Sequence, residues 1–315
     1  MVCQLLAANV GAQVIQSGAD AAPPSVFKSG VELVALNVVV TDASQKFVNG
    51  LMATDFSVYE DGVLQDVSFF ASSVVPLDLA LLLDTSASMT GKMTIMQRAA
   101  VGFASTIREQ DHVAVVDIKD TVKVAYPLGS DVAAAVQAIE ATHARGGTAL
   151  YNGVYITLKT MVSQRRINGE VRRQALAVLS DGEDTTSLVA FDEVLELARQ
   201  SGVTIYTITL KNPATVVAAT QGGRRYFSDK EFSMRTLAQE TGGRAFFPTD
   251  IGELIGIYDA IAEELASQYA IGYTPKNPRP DGRYRRVIVK VADRPNTRTR
   301  LRAGYMSART EQVAR

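Results

Sequence analysis

Two short apolar runs, each ending at an aspartate-bearing turn, set the strongest limit on the fold of this chain. Residues 79–83 (LALLL) lead into Asp84, and residues 175–179 (ALAVL) lead into Ser180 and Asp181. Runs of this length between polar turns are typical of strands buried on both faces of a sheet. Segments with helical and strand patterns alternate from residue 79 to residue 267. This alternation predicts a mostly parallel sheet with helices on both faces.

A stripe of large apolar side chains follows the first run at helical spacing. Its members are Met89, Met93, Met96, Ala100, Phe103 and Ile107. Such a stripe is more often the core-facing side of an amphipathic helix than a cofactor site. We therefore predict that it packs against the sheet.

Alternating segments near both ends of the chain predict a second, all-β part. Residues 31–42 form one predicted strand, and residues 56–70 form two predicted strands around a tight turn at Asp61-Gly62. Residues 269–275, 284–292 and 298–305 are predicted as one strand each. Three strands without a helix rarely form a stable domain. We expect the two ends to pair in one small β-sandwich that carries the α/β part as an insertion.

The predicted domain boundaries follow these changes of pattern. Residues 28–75 together with 268–306 form the β-sandwich, residues 76–267 form the α/β domain, and residues 307–315 form a tail. Residues 1–27 are a possible remnant signal segment and linker, because an apolar start is followed by small residues. The segment lacks a basic beginning, so a frayed N-terminus is the alternative. We expect a secreted, extracellular or periplasmic protein.

Composition excludes several classes of function. The formal net charge is −1, and the arginine pairs are interleaved with acids, which argues against binding to nucleic acid or an anionic membrane. Cys3 is the one cysteine in the sequence, so an internal disulfide and a cysteine-based zinc site are excluded. No stretch approaches the roughly 20 apolar residues of a membrane-spanning helix.

Five oxygen-bearing side chains are predicted to meet at the carboxyl edge of the parallel sheet, where ligands bind in folds of this kind. They are Asp84, Ser86, Ser88, Thr148 and Asp181. Carboxylate and hydroxyl oxygens suit Mg²⁺ or Ca²⁺ better than a soft metal. Each residue also has a simpler interpretation, because serine and threonine are common helix caps and Asp181-Gly182 is a common turn.

The motifs DTSAS, GGTAL and LSDGED, in this order, resemble those of the von Willebrand factor type A domain over residues 76–267. The resemblance implies a Rossmann-like doubly wound fold and a metal-ion-dependent adhesion site formed by the five residues named above. It also implies a bound Mg²⁺, or Mn²⁺ or Ca²⁺ in its place. The flanking β segments are similar to those of a bacterial family of secreted type A-related proteins. One departure is Asn152, where the family pattern has an aspartate.

The same resemblance implies a binding module and not an enzyme. An open position on the metal would accept an acidic group from a protein or cell-surface partner. The alternative is a metal-dependent hydrolase that uses the same edge of the sheet, but the sequence has no Gly-x-Ser-x-Gly elbow and no P-loop. Four residues are candidates for a partner-contacting rim, although a solvated loop residue is the simpler interpretation of each: His143, Arg145, Glu183 and Asp184.

Overall fold

In the computed structural model of the chain, the described residues are 33–72, 75–168, 172–210, 228–292, 294 and 296–307. The predicted signal segment (residues 1–27) and the tail from residue 308 onward lie outside them. The strands are β1 (Val34–Thr41), β2 (Phe56–Glu60), β3 (Val63–Gln65), β4 (Val67–Ser72), β5 (Leu77–Asp84), β6 (His112–Ile118), β7 (Val122–Gly129), β8 (Arg173–Ser180), β9 (Thr204–Thr209), β10 (Ala245–Phe246), β11 (Tyr269–Tyr273), β12 (Tyr284–Val291), β13 (Arg298–Arg300) and β14 (Gly304–Met306). The helices are α1 (Met93–Ala104), α2 (Val132–Glu140), α3 (Leu150–Asn168), α4 (Phe191–Ser201), α5 (Asp229–Glu240) and α6 (Leu254–Ala266).

A six-stranded sheet with the order β10-β9-β8-β5-β6-β7 forms the centre of the α/β part. All of its neighbouring pairs are parallel except β6 and β7, which are antiparallel. Every residue of β5 and of β8 is buried. The two strands are direct neighbours in the sheet, with Leu83 paired to Leu179. The prediction of a mostly parallel sheet is confirmed.

Helices cover both faces of this sheet, which explains why β5 is apolar along its whole length. Alternate residues of a strand point to opposite faces. Leu79, Leu81 and Leu83 therefore enter the core shared with α1, α2 and α6. Ala80 and Leu82 enter the core shared with α3, α4 and α5. The fold is doubly wound, as the sequence predicts.

The methionine and phenylalanine stripe belongs to the first of these cores. Met89, Met96 and Phe103 are fully or almost fully buried. Phe103 stacks on Tyr258 of α6, with the ring centroids 4.7 Å apart. The helix itself begins later than its apolar pattern, because residues Ala87–Lys92 form a 3-10 helix that contains Met89.

Two four-stranded antiparallel sheets form a β-sandwich from the two ends of the described chain. Their orders are β13-β1-β11-β4 and β14-β12-β2-β3. β1 pairs with β11 and β13, and β12 pairs with β2, so segments more than 200 residues apart in sequence are direct neighbours. A separate core fills the space between the sheets, with Val38, Val58, Ile271 and Val289 among its buried members. The predicted sandwich of both chain ends is confirmed.

Two predicted strands of the sandwich are each divided in the structure. Residues 63–70 contain β3 and the start of β4, which are separated at Asp66 and belong to different sheets. Residues 298–305 likewise contain β13 and the start of β14, again in different sheets. The chain crosses from one sheet to the other at each break, which is how strands turn the corner of a sandwich. The alternating pattern continues through the break and does not reveal it.

Arg173 joins the sandwich side of the molecule to the α/β part. Its guanidinium donates to Val75 O at 3.0 Å and to Leu265 O, in the last turn of α6, at 2.5 Å. The boundaries at 75/76 and 267/268 stay a prediction, because Glu32–Arg315 form a single unit. None of the helices in the described ranges has the length and apolar character that crossing a bilayer requires.

Candidate metal centre

Asp84 is a buried carboxylate at the carboxyl end of β5. One oxygen, Oδ1, accepts a hydrogen bond from Ser86 N at 2.9 Å, and Oδ2 accepts one from Ser180 Oγ at 2.6 Å. Burial raises the pKa of the Asp84 carboxyl, while the hydrogen bonds from Ser180 and Ser86 lower it. The negative charge of Asp181 raises this pKa as well, so the two carboxylates act on each other.

Ser86 and Ser88 place two hydroxyls directly after this carboxylate. Their Oγ atoms lie 3.0 Å apart; Ser86 is buried and Ser88 is exposed. Ser86 occupies the N-cap position of the 3-10 helix Ala87–Lys92, yet its side chain makes no capping hydrogen bond. Helix capping therefore does not explain the Ser86 hydroxyl, which instead forms a hydrogen bond with the Ser88 hydroxyl.

Backbone hydrogen bonds hold the loop that carries Thr148 against the loop that follows Asp84. Ala87 N donates to Gly146 O at 3.0 Å, and Arg145 N donates to Thr85 O at 2.9 Å. Thr148 itself is buried. The structure therefore brings the segments with the first four predicted site residues to the same edge of the sheet.

Asp120 fixes the glycine turn in this loop. Its Oδ1 accepts a hydrogen bond from Gly147 N at 2.6 Å. Gly146 has a φ of +70°, and a Cβ atom on it would lie 1.9 Å from Asp120 Oδ2. Both the backbone conformation and the close approach therefore require glycine at residue 146.

The first turn of α3 is capped by residues other than Thr148. Tyr151 N donates to Asp184 Oδ1 at 3.2 Å, and Asn152 N donates to Ser187 Oγ at 3.0 Å. Within the described part of the chain, the Thr148 hydroxyl makes no hydrogen bond. The Thr148 side chain is buried at the site without serving as a helix cap.

Asn152, where the family pattern has an aspartate, accepts hydrogen bonds that hold a neighbouring loop. Its Oδ1 accepts hydrogen bonds from Leu188 N and Val189 N, both at 3.1 Å. The loop after Asp181 is thereby tied to the start of α3. An aspartate oxygen would accept the same two bonds, so the departure leaves this geometry intact.

Asp181 and Ser180 complete the edge of the sheet. Asp181 is half-buried, and its Oδ1 accepts a hydrogen bond from Glu183 N at 3.1 Å. Ser180 donates to Asp84 and accepts from Gly182 N at 2.9 Å. We did not predict a role for Ser180; the available signal was a serine directly before Asp181 at the end of an apolar strand.

The four predicted rim residues differ in their surroundings. His143 and Arg145 are exposed, and His143 Nδ1 lies 2.7 Å from Ala141 O. Glu183 forms an ion pair with Lys230 of α5. Asp184 caps α3, as described above, and so has a structural role. The idea that these residues contact a partner stays a prediction.

The chemistry of the donor set fits a hard dication. Neither Asp84 nor Asp181 forms an ion pair with any described residue, so two interacting carboxylates lack a cationic partner. The neighbouring hydroxyls add neutral oxygen donors, which Mg²⁺ and Ca²⁺ prefer. No group of three or more His, Cys, Asp and Glu side chains suited to a metal occurs in the described ranges, so a histidine- or cysteine-rich metal site is not observed there.

Comparisons with solved structures give similarities at low sequence identity. BatB from Bacteroides thetaiotaomicron is 16% identical over 60% of this chain and 97% of its own, with a TM-score of 0.47. A von Willebrand factor type A protein from Catenulispora acidiphila is 15% identical over 91% of this chain and 76% of its own, with a TM-score of 0.48. Proximal thread matrix protein 1 from the mussel byssus, with a zinc-occupied MIDAS motif, is 15% identical over 65% of this chain and 50% of its own, also with a TM-score of 0.48.

A comparison with curated protein sequences gives no match. A family model gives a clear assignment, because the model of the von Willebrand factor type A domain matches residues 78–260. The match begins inside β5 and ends inside α6, so it spans the central sheet and the whole candidate site. The chain belongs to the von Willebrand factor type A domain family.

Proposed function

We propose that this chain is a divalent-cation-dependent binding module. The observation that carries the proposal is the pair of carboxylates Asp84 and Asp181, which interact with each other and have no cationic partner among the described residues. Two like charges at one sheet edge are unfavourable unless a cation neutralises them. Ser86, Ser88 and Thr148 would supply further oxygen donors to the same ion.

A bound Mg²⁺, Mn²⁺ or Ca²⁺ would supply a positive centre that attracts a carboxylate from a partner. Asp84 and Asp181 would balance its charge, and Ser180 would hold the Asp84 carboxylate in its orientation. The exposed Ser88 lies on the solvent side of this set, where the acidic group would enter.

The partner in this proposal is a protein or a cell surface that presents an acidic group. Type A domains generally act in protein binding and not in catalysis, which supports this choice over a metal-dependent hydrolase. We also propose that the protein is exported, since its apolar N-terminal residues resemble the end of an export signal. Residues His143 and Arg145 would flank the entering carboxylate with positive or polar side chains.

Cation-dependent thermal stability tests the site. A ligand that binds only the folded state at 100 times its dissociation constant adds about 2.7 kcal/mol, which for a chain of this size raises the melting temperature by roughly 5–10 °C. We expect this shift with wild type and its loss in Asp84→Ala and Asp181→Ala. Asp66→Ala, which changes an exposed aspartate of the sandwich, is the matched control and should behave as wild type.

The binding partner is tested by capture from a cell-surface extract with immobilised wild type. Proteins retained in Mg²⁺ should be released by EDTA and absent from the Asp84→Ala column. A wild type that no divalent cation stabilises would refute the site. If EDTA does not release the captured proteins, the partner binds at a surface other than the cation site.

A further inference from the structure

A cavity of about 450 Å³ lies where the β-sandwich meets the amino ends of the central sheet. Its apolar lining includes Leu33, Val34, Leu36, Phe69, Val75 and Ile271. Arg173, the first residue of β8, also lines it, whereas Ser180 at the other end of β8 contacts Asp84. The cavity is therefore separated from the candidate metal centre by the length of a strand.

The size and lining of the cavity are those of a small-molecule site. Such sites have volumes of roughly 300–1,000 Å³, a mostly apolar lining and a few convergent polar groups. Charged side chains in this lining are all arginines: Arg172, Arg173 and Arg302. Within the described ranges, no Asp or Glu lines the cavity. The charge of the lining favours an anion.

Arg172 and Arg173 differ in how their charges are compensated. Arg172 Nε donates to Asp78 Oδ1 at 2.6 Å, so this pair is close to neutral. Arg173 is only 5% exposed and forms no ion pair with a described residue. Its acceptors are two backbone carbonyls, which are dipoles and leave the net charge of the guanidinium unbalanced.

One edge of the Arg173 guanidinium has a clear structural role and the other does not. Nε and Nη1 join Val75 to the last turn of α6, which explains those two donors. Nη2 has no acceptor among the described residues, although a guanidinium has five N–H donors. Burial and then the positive charge of Arg108 lower the pKa of Arg173 to about 10, and the opposing effect of the Asp111 charge does not outweigh them, since Asp111 is paired with Arg108. A bound anion would relieve both effects.

We propose that this cavity binds an amphipathic carboxylate, that is, a small organic acid with an apolar body. The carboxylate pairs with the Arg173 guanidinium, and the apolar body packs against Ala35, Phe69 and Ala270, which alternate with the core-facing Leu36 and Ile271 on their strands. A charge-assisted hydrogen bond to a buried guanidinium is strong because both charges leave water together. This site needs no metal and is independent of the function proposed above.

Calorimetric titration of the full chain with decanoate tests the proposal. The titration is done in EDTA, so that a cation at the other site cannot bind the carboxylate. We expect one saturable site per chain and a dissociation constant about tenfold lower than that of the neutral analogue decanol, since a hydrogen bond to a charged group is lost with the alcohol. Absence of saturable decanoate binding would overturn the proposal. Equal affinities for decanoate and decanol would overturn the role of Arg173.

Two variants locate the site. Ala35→Trp places a large side chain at an exposed position that lines the cavity, and it should reduce decanoate binding by about tenfold or more. Arg173→Met should reduce it similarly, but this change also removes two structural hydrogen bonds, so Ala35→Trp is the decisive variant. Ile288→Trp, at an exposed position on β12, is the control and should bind as wild type does. Wild-type affinity in Ala35→Trp would overturn the location.

Discussion

Ser180 holds one oxygen of the buried Asp84 carboxylate, and Ser86 N holds the other. The Ser180 hydroxyl donates to Asp84 Oδ2 at 2.6 Å and accepts from Gly182 N, so it is itself fixed in place. Hydrogen bonds that orient a metal ligand typically account for 10- to 100-fold in metal affinity. Ser180, directly before Asp181, is uncharged. It therefore affects the orientation of the Asp84 carboxylate and not the charge balance of the site.

We predict that Ser180→Ala weakens cation binding by about tenfold while leaving the fold intact. Titration of Mg²⁺ followed by the melting temperature measures this change. Ser163→Ala removes an exposed hydroxyl that donates to Thr160 O on α3 and has no other partner among the described residues, and this variant should bind the cation as wild type does. Unchanged Mg²⁺ affinity in Ser180→Ala would show that the orientation of Asp84 is set by other contacts.

Asp111 provides a pH-dependent contribution to stability. Burial raises the pKa of its carboxyl, but hydrogen bonds from Arg108 and Leu77 N, together with the Arg108 charge, outweigh burial, so the pKa is lowered overall. A lowered folded-state pKa stabilises the protein above the unfolded value, about 3.9 for aspartate. This stabilisation is lost as the pH falls through the folded-state pKa.

We predict that Arg108→Met lowers the unfolding free energy by about 1 kcal/mol at pH 7 and by progressively less as the pH falls below about 4. Urea unfolding between pH 2.5 and pH 7 measures the difference. Arg98→Met, on the exposed side of α1, serves as the control and should give a curve parallel to wild type. A loss in Arg108→Met that stays constant down to pH 2.5 would contradict the linkage to Asp111.

At the level of elements, side-chain hydrogen bonds fasten the loop after β8 to the start of α3. Asn152 Oδ1 accepts hydrogen bonds from two consecutive backbone N–H groups of this loop, and the backbone N–H of Asn152 donates to Ser187 Oγ. Asp184 from the same loop caps Tyr151. The segment that carries Asp181 thus depends on α3 for its position.

We predict that Asn152→Ala lowers the unfolding free energy by about 1–2 kcal/mol, because two backbone donors lose their acceptor. Asn152→Asp keeps both acceptor bonds and should remain within about 0.5 kcal/mol of wild type. Urea unfolding compares the three proteins. Equal stability of Asn152→Ala and wild type would show that water replaces the Asn152 oxygen at no cost.

The elements also show which features the sequence predicts and which it does not. β5 and β8 are predicted well, because strands buried on both faces leave a continuous apolar run between polar turns. The breaks at Asp66 and at residues 301–303 are not predicted, because the alternation of apolar and polar residues continues through them. The point where the chain crosses to the other sheet depends on pairing with strands of that sheet, which are distant in sequence. The same reasoning applies to Ser180 and Asn152. Their partners are 96 and 36 residues away, so local spacing carries no sign of these contacts.

At the level of the whole molecule, a charge network around one buried carboxylate joins the sandwich to the α/β part. Glu264 of α6 is 1% exposed and accepts from Tyr206 OH at 2.7 Å. Arg300 of β13 pairs with Glu264 Oε2 at 2.5 Å, and Arg244 lies farther away at 3.7 Å. Arg300 also donates to Gly242 O. Arg300 of the sandwich is therefore the nearer of two arginines that pair with this buried carboxylate.

We predict that Arg300→Met lowers the unfolding free energy by about 2–3 kcal/mol, because a buried carboxylate loses its nearest positive partner. Arg298→Met removes an exposed arginine from the same strand and should change stability by less than about 0.5 kcal/mol. Thermal and urea unfolding of both variants measure the difference. Equal effects of the two substitutions would mean that Arg244 alone compensates Glu264.

The pairing of β1 with β13 has a mechanical consequence. The described chain enters the sandwich at Val34 and leaves it at Met306, and backbone hydrogen bonds connect β1 directly to β13. Tension applied between these two points is carried by the sandwich along the short path from β1 through β13 to β14. The α/β part is inserted between β4 and β11 and therefore lies outside this path. A ligand held at the carboxyl edge of the central sheet would lie away from the direct line of such tension.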